Sequence, residues 1–536
     1  MLKRLIGIAT AVATISSMAV TAFADEPYET YSYDNWQDPI PSQAGYMVEK
    51  TWTGHDLGLD ELSNPESEFF ISNNENPNLN GACDIYVEDT TRTIWIADTE
   101  NHRILSFNEN FELKGCYKSI DGAGVKNFNA PKGLFVEVNA EGDTILYVAD
   151  TENSRGVRLK ITGPLTCELE QEFLKPDSQA YSAEAFTPSK VSADKEGNVY
   201  LIATSVNTGA LRYDRNGEFK GFFGANRVEQ TAEVIARKVW RIFASEEQLE
   251  AMVSTVPTEF HNFDMDQDGF IFTVTESANA STDAVKKLNP AGVNIWNNAK
   301  GNTYQFGDFA WGYDESVAKS TKLTDVVVGE NEVFNLLDYE TGRVFQYDKN
   351  ADLLFVFGTR STPSEQEGSF TAPNAVETLG DKIYVIDGIK NDVTVFVETV
   401  FGKYVHAASI LNVEGKYTEA KPIWEEVIRR DGGYTMAHIA LGKAALNAGE
   451  YKLAMEYFET AYDQENYDKA YEYYRDEFLR ANFEIIVIGL FVLIVLILVY
   501  GKLKKKKIIA PISAYIAVGF MKIKESLKKK PKKEEE

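Results

Sequence analysis

Histidine and cysteine are scarce in this chain, with five and three residues among 536. Three thiols permit one disulfide at most, with one left over. Cys83, Cys116 and Cys167 also read as small apolar residues inside strands, and that is the simpler reading. A basic excess is missing too: the formal net charge is −27 and the pI about 4.8. This argues against a nucleic-acid surface, which concentrates Lys and Arg on one face. There is no Gly-rich phosphate loop, and no nucleophile stands in a recognisable arrangement with a base. The sequence therefore assigns no catalytic residue, no cofactor and no metal.

The charge that is present is unevenly spread. Residues 1–24 contain Lys3 and Arg4 and no acid, whereas Lys502 to Glu536 holds 12 Lys against 4 Glu. Such polarisation fits a chain that crosses a membrane once. At the start, Lys3 and Arg4 precede the apolar run Leu5 to Val20 and the small-residue site Ala22, Phe23, Ala24, which reads as a secretory signal over 1–24. Near the other end, Ile485 to Tyr500 is 16 residues without a charge. That is about 24 Å of helix, which Phe483, Leu503 and a snorkelling Lys502 extend towards a hydrocarbon core of about 30 Å. We read 483–503 as a transmembrane helix and 504–536 as a basic cytoplasmic tail, with the acidic bulk outside. The apolar segment 508–520, interrupted by Pro511, is too short to cross again and reads as interfacial.

Between these ends one phrase recurs. IWIADTENHRI, Ile94 to Ile104, returns 52 residues on as LYVADTENSRG, Leu146 to Gly156, with echoes at Val333 to Val344 and Ile383 to Val393. In each, a strand-type run meets an Asp, a polar turn and another apolar run, which is a β-hairpin in sequence form. Periods of about 40 to 50 residues in strand-rich sequence indicate propeller blades. Six such units can be counted, several led by a proline: FNAPKGLFV, FTPSKVSAD, FTAPNAVET. The segment Tyr46 to Gly54 is placed to supply the outer strand that the sixth unit lacks. The prediction is an all-β, six-bladed propeller over 46–401, after an acidic extended lead-in over 25–45. A helical insertion over 228–256 reads as two amphipathic helices, a lid on one mouth or a buttress at the side.

The string YVADTENSR with its Pro-led strand resembles the NHL repeat. This resemblance covers roughly Asn80 to Val400 and implies a blade family whose six-bladed members serve as binding platforms and occasionally as enzymes. Some propeller enzymes of this kind hold a metal through several His; here the propeller span 46–401 offers only His55, His102 and His261.

From Tyr404 the period becomes helical. EGKYTEAKPIWEEV is echoed by AGEYKLAMEYFETA, so Gly415, Tyr417, Ala420 and Trp424 recur 34 residues later as Gly449, Tyr451, Ala454 and Phe458. Ala420, Gly442 and Ala454 are small enough for paired helices to approach closely. The pattern resembles the tetratricopeptide repeat (TPR) and implies a small all-α domain over 402–482, with the helix from Tyr467 to Asn482 as its cap.

The candidate chemistry is modest. Asp264, Asp266, Asp268 and Gly269 have Ca²⁺-loop spacing, but Thr275 stands where the bidentate Glu belongs, and alignment on Gly197 makes the segment a repeated hairpin turn. The recurring Asp98, Asp150, Asp338 and Asp387 read as acceptors for turn N–H groups, with Arg103 and Arg155 pairing to them. Candidate ligand-binding aromatics are Trp240 and Phe243 in the insertion, and Trp296, Tyr304, Phe306, Phe309, Trp311 and Tyr313 in a Gly- and Asn-rich loop. The resulting expectation is a membrane-anchored extracytoplasmic binding or scaffold protein. It would hold a protein partner at the TPR groove and an extracellular protein, peptide or glycan at the propeller, as a possible accessory to a transport or secretion machine. An extracellular propeller hydrolase or lyase, and a signal-transmitting surface receptor, are the alternatives.

Overall fold

The computed structural model describes residues 28–505 and 521, apart from 35, 37, 121–125, 180, 182, 205, 207, 225–259, 276–283, 297–305, 309–320 and 361–365. Residues 1–24, read above as a secretory signal, the insertion over 228–256 and most of 504–536 therefore lie outside the described residues.

Each recurring phrase folds as predicted by its alternation of strand and turn. Blade one comprises Asp84–Glu88, Thr93–Asp98, Arg103–Asn108 and Leu113–Tyr117. Blade two comprises Pro131–Val138, Thr144–Asp150, Arg155–Gly163 and Thr166–Phe173, and blade three Pro188–Ala193, Val199–Ala203, Ala210–Tyr213 and Phe219–Phe223. Blade four has three strands among the described residues, Asn262–Met265, Ile271–Val274 and Val285–Leu288. Blade five runs Leu323–Val328, Phe334–Asp338, Arg343–Tyr347 and Leu353–Phe357. Blade six takes Pro373–Leu379, Lys382–Asp387 and Asp392–Glu398, and its outer strand is Tyr46–Trp52 from the far end of the chain. The first strands touch in order from blade one to six and back to one. The fold is a six-bladed β-propeller.

Alternation within a strand decides which neighbour each side chain meets. In blade one, Ile94 and Ile96 join a core cluster with Tyr384, Ile386 and Val393 of blade six, whereas Trp95 and Ala97 join one with Leu134, Leu146 and Val148 of blade two. Both faces of every blade are covered, so the strands read as continuous apolar runs. In the lead-in, Tyr31–Tyr33 pairs with Pro39–Pro41 against the outer strand of blade five. None of the three cysteines is in a disulfide, and Cys116 and Cys167 are buried.

Among the described residues six helices follow: α1 (Val400–Val413), α2 (Tyr417–Arg430), α3 (Thr435–Asn447), α4 (Tyr451–Thr460), α5 (Gln464–Ala481) and α6 (Phe483–Lys505). The chain divides into two compact units, the first reaching Ala444 and the second holding the remainder apart from 460–462. Within the first, α1 is capped by Thr399, whose Oγ1 accepts from Gly402 N at 3.0 Å. It is tied to blade five by Ser409 Oγ, which donates to Asp348 Oδ2 at 2.9 Å. Tyr434 OH donates to Leu354 O at 2.9 Å, and Ser42 Oγ to Asp431 Oδ2 at 2.8 Å. Blades five and six thus brace the first helices.

The residues that carry the 34-residue repeat adopt matching local conformations. Gly415 and Gly449 take φ of +75° and +78° just before α2 and α4, where a Cβ would be strained. Ala420 and Trp424, and likewise Ala454 and Phe458, are buried on the inner faces of those helices, and Gly442 is buried in α3. In the second unit Ala454, Phe458 and Ala470 form a small core with Ala445. The 23 residues of α6 span about 34 Å at the usual rise, enough for a hydrocarbon core, and none of its side chains is buried.

Candidate functional site in the propeller channel

The recurring Asp stands at the end of the second strand in blades one, two, five and six and organises the turn after it. Asp98 accepts from Asn80 N at 2.7 Å, Asn101 Nδ2 at 2.8 Å and Arg103 Nε at 2.7 Å. Asp150 repeats this with Asn129 N, Asn153 and Arg155 at 2.8 Å each. Asp387 accepts four backbone N–H groups, from Thr371, Ala372, Ile389 and Lys390. His102 and Ser154, both at φ +52°, complete the first two turns. These acids build blades.

The channel is lined differently. Strand register sets six inner-strand residues at one level: Asp84, Gly133, Lys190, Asn262, Asp325 and Ala375. Two residues further along each strand lies a second ring, Tyr86, Phe135, Ser192, Asp264, Val327 and Glu377. All except Gly133 and Ala375 line a cavity of about 40 Å³, so the channel is packed rather than open. Gly133 is required for this: a Cβ there would lie 2.6 Å from Lys190 Cα. That close approach lets Lys190 of blade three reach past blade two to Asp84 Oδ1 of blade one, at 2.7 Å.

The inner edge of each first strand faces the channel with unpaired N–H groups, which must find acceptors. Acidic side chains from neighbouring blades supply them. Asp84 accepts from Leu134 N at 2.8 Å, Asp264 from Val328 N at 2.7 Å, and Asp325 from Val376 N at 2.7 Å. Glu377 closes the circle on Val87 N at 3.4 Å. Four carboxyls thus share the channel with Lys190, and the electrostatic cost is visible. Burial pushes Asp325 up to about 7 against the opposing pull of Lys190. Asp264 is also pushed up to about 7 by burial, with Asp266 and Asp89 adding to it. Glu377 is raised well above the usual carboxylate range by burial and by Asp264.

At the end that carries the turns between first and second strands, the channel opens into a recess of about 270 Å³. Asp264 and Glu377 form its floor side, Asp89, Asp266 and Glu330 come from the turns, and His406 and Ile410 reach in from α1. The two ring nitrogens of His406 face Glu398 Oε1 and Gln346 Oε1, at 2.5 and 2.6 Å. The turn around Gly269 matches its alignment with Gly197. Asp266 Oδ1 accepts from Asp268 N and Phe270 N, as Asp194 Oδ1 does from Glu196 N and Asn198 N.

Of the predicted ligand-binding aromatics, two are described. Phe306 is buried, and Trp296 packs 5.3 Å from it and 5.5 Å from Phe272, within the core shared by blades four and five. Trp240, Phe243, Tyr304, Phe309, Trp311 and Tyr313 lie outside the described residues. His55 contacts Asp60 on an exposed loop, while His102 accepts from Ala130 N. Sequence reasoning singled out Asp264 and passed over Asp84, Lys190, Asp325 and Glu377. Alignment of the blades on their Pro-led strands would have stacked Gly133, Lys190 and Ala375, each two residues after its proline, and so revealed the first ring.

No family model and no curated protein matches this sequence. Among solved structures, the selenomethionine form of virginiamycin B lyase from Staphylococcus aureus is similar at 10% identity and a TM-score of 0.34, covering 70% of this chain and 97% of that one. A streptogramin B lyase gives 10% identity and 0.35, over 60% of this chain and 94% of its own. An extracellular domain from B. thetaiotaomicron, ascribed to a hybrid two-component system, gives 14% and 0.32, over 59% and 33%. At these identities and scores the likeness carries no argument about function.

Proposed function

We propose that this protein is a binding and scaffold protein held at a membrane by α6, with the propeller and helical repeats on the outer side and the Lys-rich end in the cytoplasm. The observation that carries the reading is the acid-lined recess: a concave, polar site built on the rigid ends of several blades, the kind of place where ligands bind. The length and apolarity of α6 support the anchor, and the lysines after it support the orientation. The helices, read as TPR-like, would hold a protein partner near the bilayer. Tyr471, Tyr473 and Phe478 on α5 are exposed and suit such a contact. A role as accessory to a transport or secretion machine follows from that module order.

The test is crosslinking and pull-down of the full chain from native membranes, beside a Tyr473→Ser, Phe478→Ser variant. A partner retained by the wild type and lost from the variant supports the reading; no specific partner for either argues against it. An enzymatic reading has one specific observation in its favour, since carboxyls raised to about 7 beside a cavity suit acid–base chemistry. Stoichiometric Zn²⁺ or Ca²⁺ in the purified protein would favour that hydrolase or lyase reading. A receptor reading requires that deletion of 502–536 abolish more than anchoring.

A further inference from the structure

The last turns of α5 stand alone. Tyr473 stacks on Tyr451 at the start of α4, with ring centroids 5.6 Å apart, and beyond it every α5 side chain except Asp476 is exposed. This stretch is nevertheless not polar all round. Tyr471, Tyr474 and Phe478 are exposed large side chains spaced three and four residues apart, and Ala481 continues the series. A short helix in water owes most of its stability to packing such a stripe on something.

The stripe does not end with α5. Asn482 alone separates it from α6, and the backbone ladder runs through the junction: Asn482 N donates to Phe478 O at 3.1 Å and Ile486 N to Asn482 O at 2.9 Å. Asn482 has φ −108° and ψ 7°, whose sum is close to that of a regular helix, so the phase is kept. Carried on in alternating steps of four and three, the series falls on Ile485, Ile488, Val492, Val495 and Val499 before it reaches Lys502. No residue between Ile485 and Tyr500 is charged, so only side-chain shape discriminates there. Each of these five positions is β-branched, while Gly489, Phe491 and every leucine of that run fall off the stripe.

We propose that α5 and α6 wind in parallel on the same helices of a second copy of this chain, along the stripe from Tyr471 to Val499. This rests on the reading of α6 as a membrane anchor; it assigns Tyr471 and Phe478 to the second copy and leaves Tyr473, off the stripe, to a further partner. A strict seven-residue repeat drifts by about 20° per heptad around a straight helix, so it holds one line only in a left-handed supercoil, which requires another helix to wind on. The bilayer cannot take that place. At about 1.5 Å per residue, Tyr474 and Tyr471 stand about 14 and 18 Å ahead of Phe483, whereas a headgroup layer is only about 5–7 Å deep. Two copies inserted the same way share direction and depth, so identical stripes meet in register. The flanking charges permit it: in that register Arg475 lies opposite Ala470 of the second copy and Glu477 opposite its Asn482, so no like charges meet.

The experiment is cysteine scanning of the full chain in native membranes, with copper-phenanthroline oxidation read on non-reducing gels. Cys83→Ser is the background, and the buried Cys116 and Cys167 are kept. Tyr474→Cys, Phe478→Cys and Ala481→Cys are expected to form disulfide-linked dimers at least about tenfold faster than Asp476→Cys, Leu479→Cys and Arg480→Cys. Ala481→Cys is the mildest change and keeps the test decisive should an aromatic replacement misfold. Equal or absent crosslinking across the series, faster reaction on the Asp476, Leu479 and Arg480 side, or a product whose mass is not twice that of the chain overturns the proposal. So does shielding of Tyr474→Cys from a water-soluble maleimide without dimer formation, which assigns the stripe to the bilayer. Release of the wild type by alkaline carbonate overturns the anchor reading and the pairing together, whereas retention with a flat cysteine pattern overturns the pairing alone.

Discussion

Lys190→Met is the sharpest probe of the channel. The Lys190 and Asp84 side chains are 13% and 8% exposed, and their charged atoms lie 2.7 Å apart. At an effective dielectric of about 20 that separation is worth about 6 kcal/mol of attraction, and removal of one partner of such a pair typically costs about 3–5 kcal/mol. The structure leaves one escape. Burial already pushes the Asp84 carboxyl up, and only Lys190 and nearby N–H groups pull against it, so without the lysine Asp84 takes a proton. At pH 7 that uptake costs about 4 kcal/mol for a carboxyl whose ordinary pKa is about 3.9, and it becomes cheaper by about 1.4 kcal/mol for each pH unit of acidification. The variant is therefore expected to lose about 3–4 kcal/mol at pH 7 and about 1.5 kcal/mol at pH 5, read from urea unfolding followed by tryptophan fluorescence. Lys190→Met combined with Asp84→Asn should recover most of the loss and remove its pH dependence. A loss of equal size at both pH values, or a double variant no more stable than the single, would refute the reasoning.

Asp325 gives a pH profile of its own. With its folded pKa at about 7, the folded state keeps a proton that the unfolded chain releases near pH 4. Its contribution is complete below about pH 4 and drains away towards pH 7, by up to about 4 kcal/mol. Asp325→Asn should accordingly gain stability relative to the wild type as pH rises from 4 to 7, and a flat difference in urea midpoints would contradict this. Trp424 is 1% exposed and its Nε1 is buried without a hydrogen bond. Trp424→Ala should cost about 3–5 kcal/mol, whereas Trp424→Phe, which removes the orphaned N–H and keeps a ring, should cost about 1–2 kcal/mol in thermal melts followed by helical circular dichroism. In α6, Leu493→Arg should impair membrane insertion by about 2.5–3.5 kcal/mol, visible as protein extracted by alkaline carbonate; unchanged membrane retention would count against the anchor.

The blades were legible because their signal is local. A strand, an Asp, a turn and a strand lie within about a dozen residues, and inside that span Asp98 accepts from Asn101 and Arg103. The 34-residue echo of Tyr417, Ala420 and Trp424 is local in the same way, since helical spacing alone puts the small and large residues on one face. The channel was less legible. In chain order Asp84, Lys190, Asp325 and Glu377 follow one another at intervals of 106, 135 and 52 residues, with nothing in their neighbourhoods to join them.

By itself, then, the amino-acid order determined the number of blades, the strand that closes the ring from the far end, the 34-residue helical echo and the long apolar helix α6, because periodicity and apolar length act over short distances. Only the closed ring decided that Gly133 makes way for Lys190 and that four carboxyls meet one lysine. Those are facts of proximity between blades. Their energies exist only once water has been excluded from the space the blades enclose.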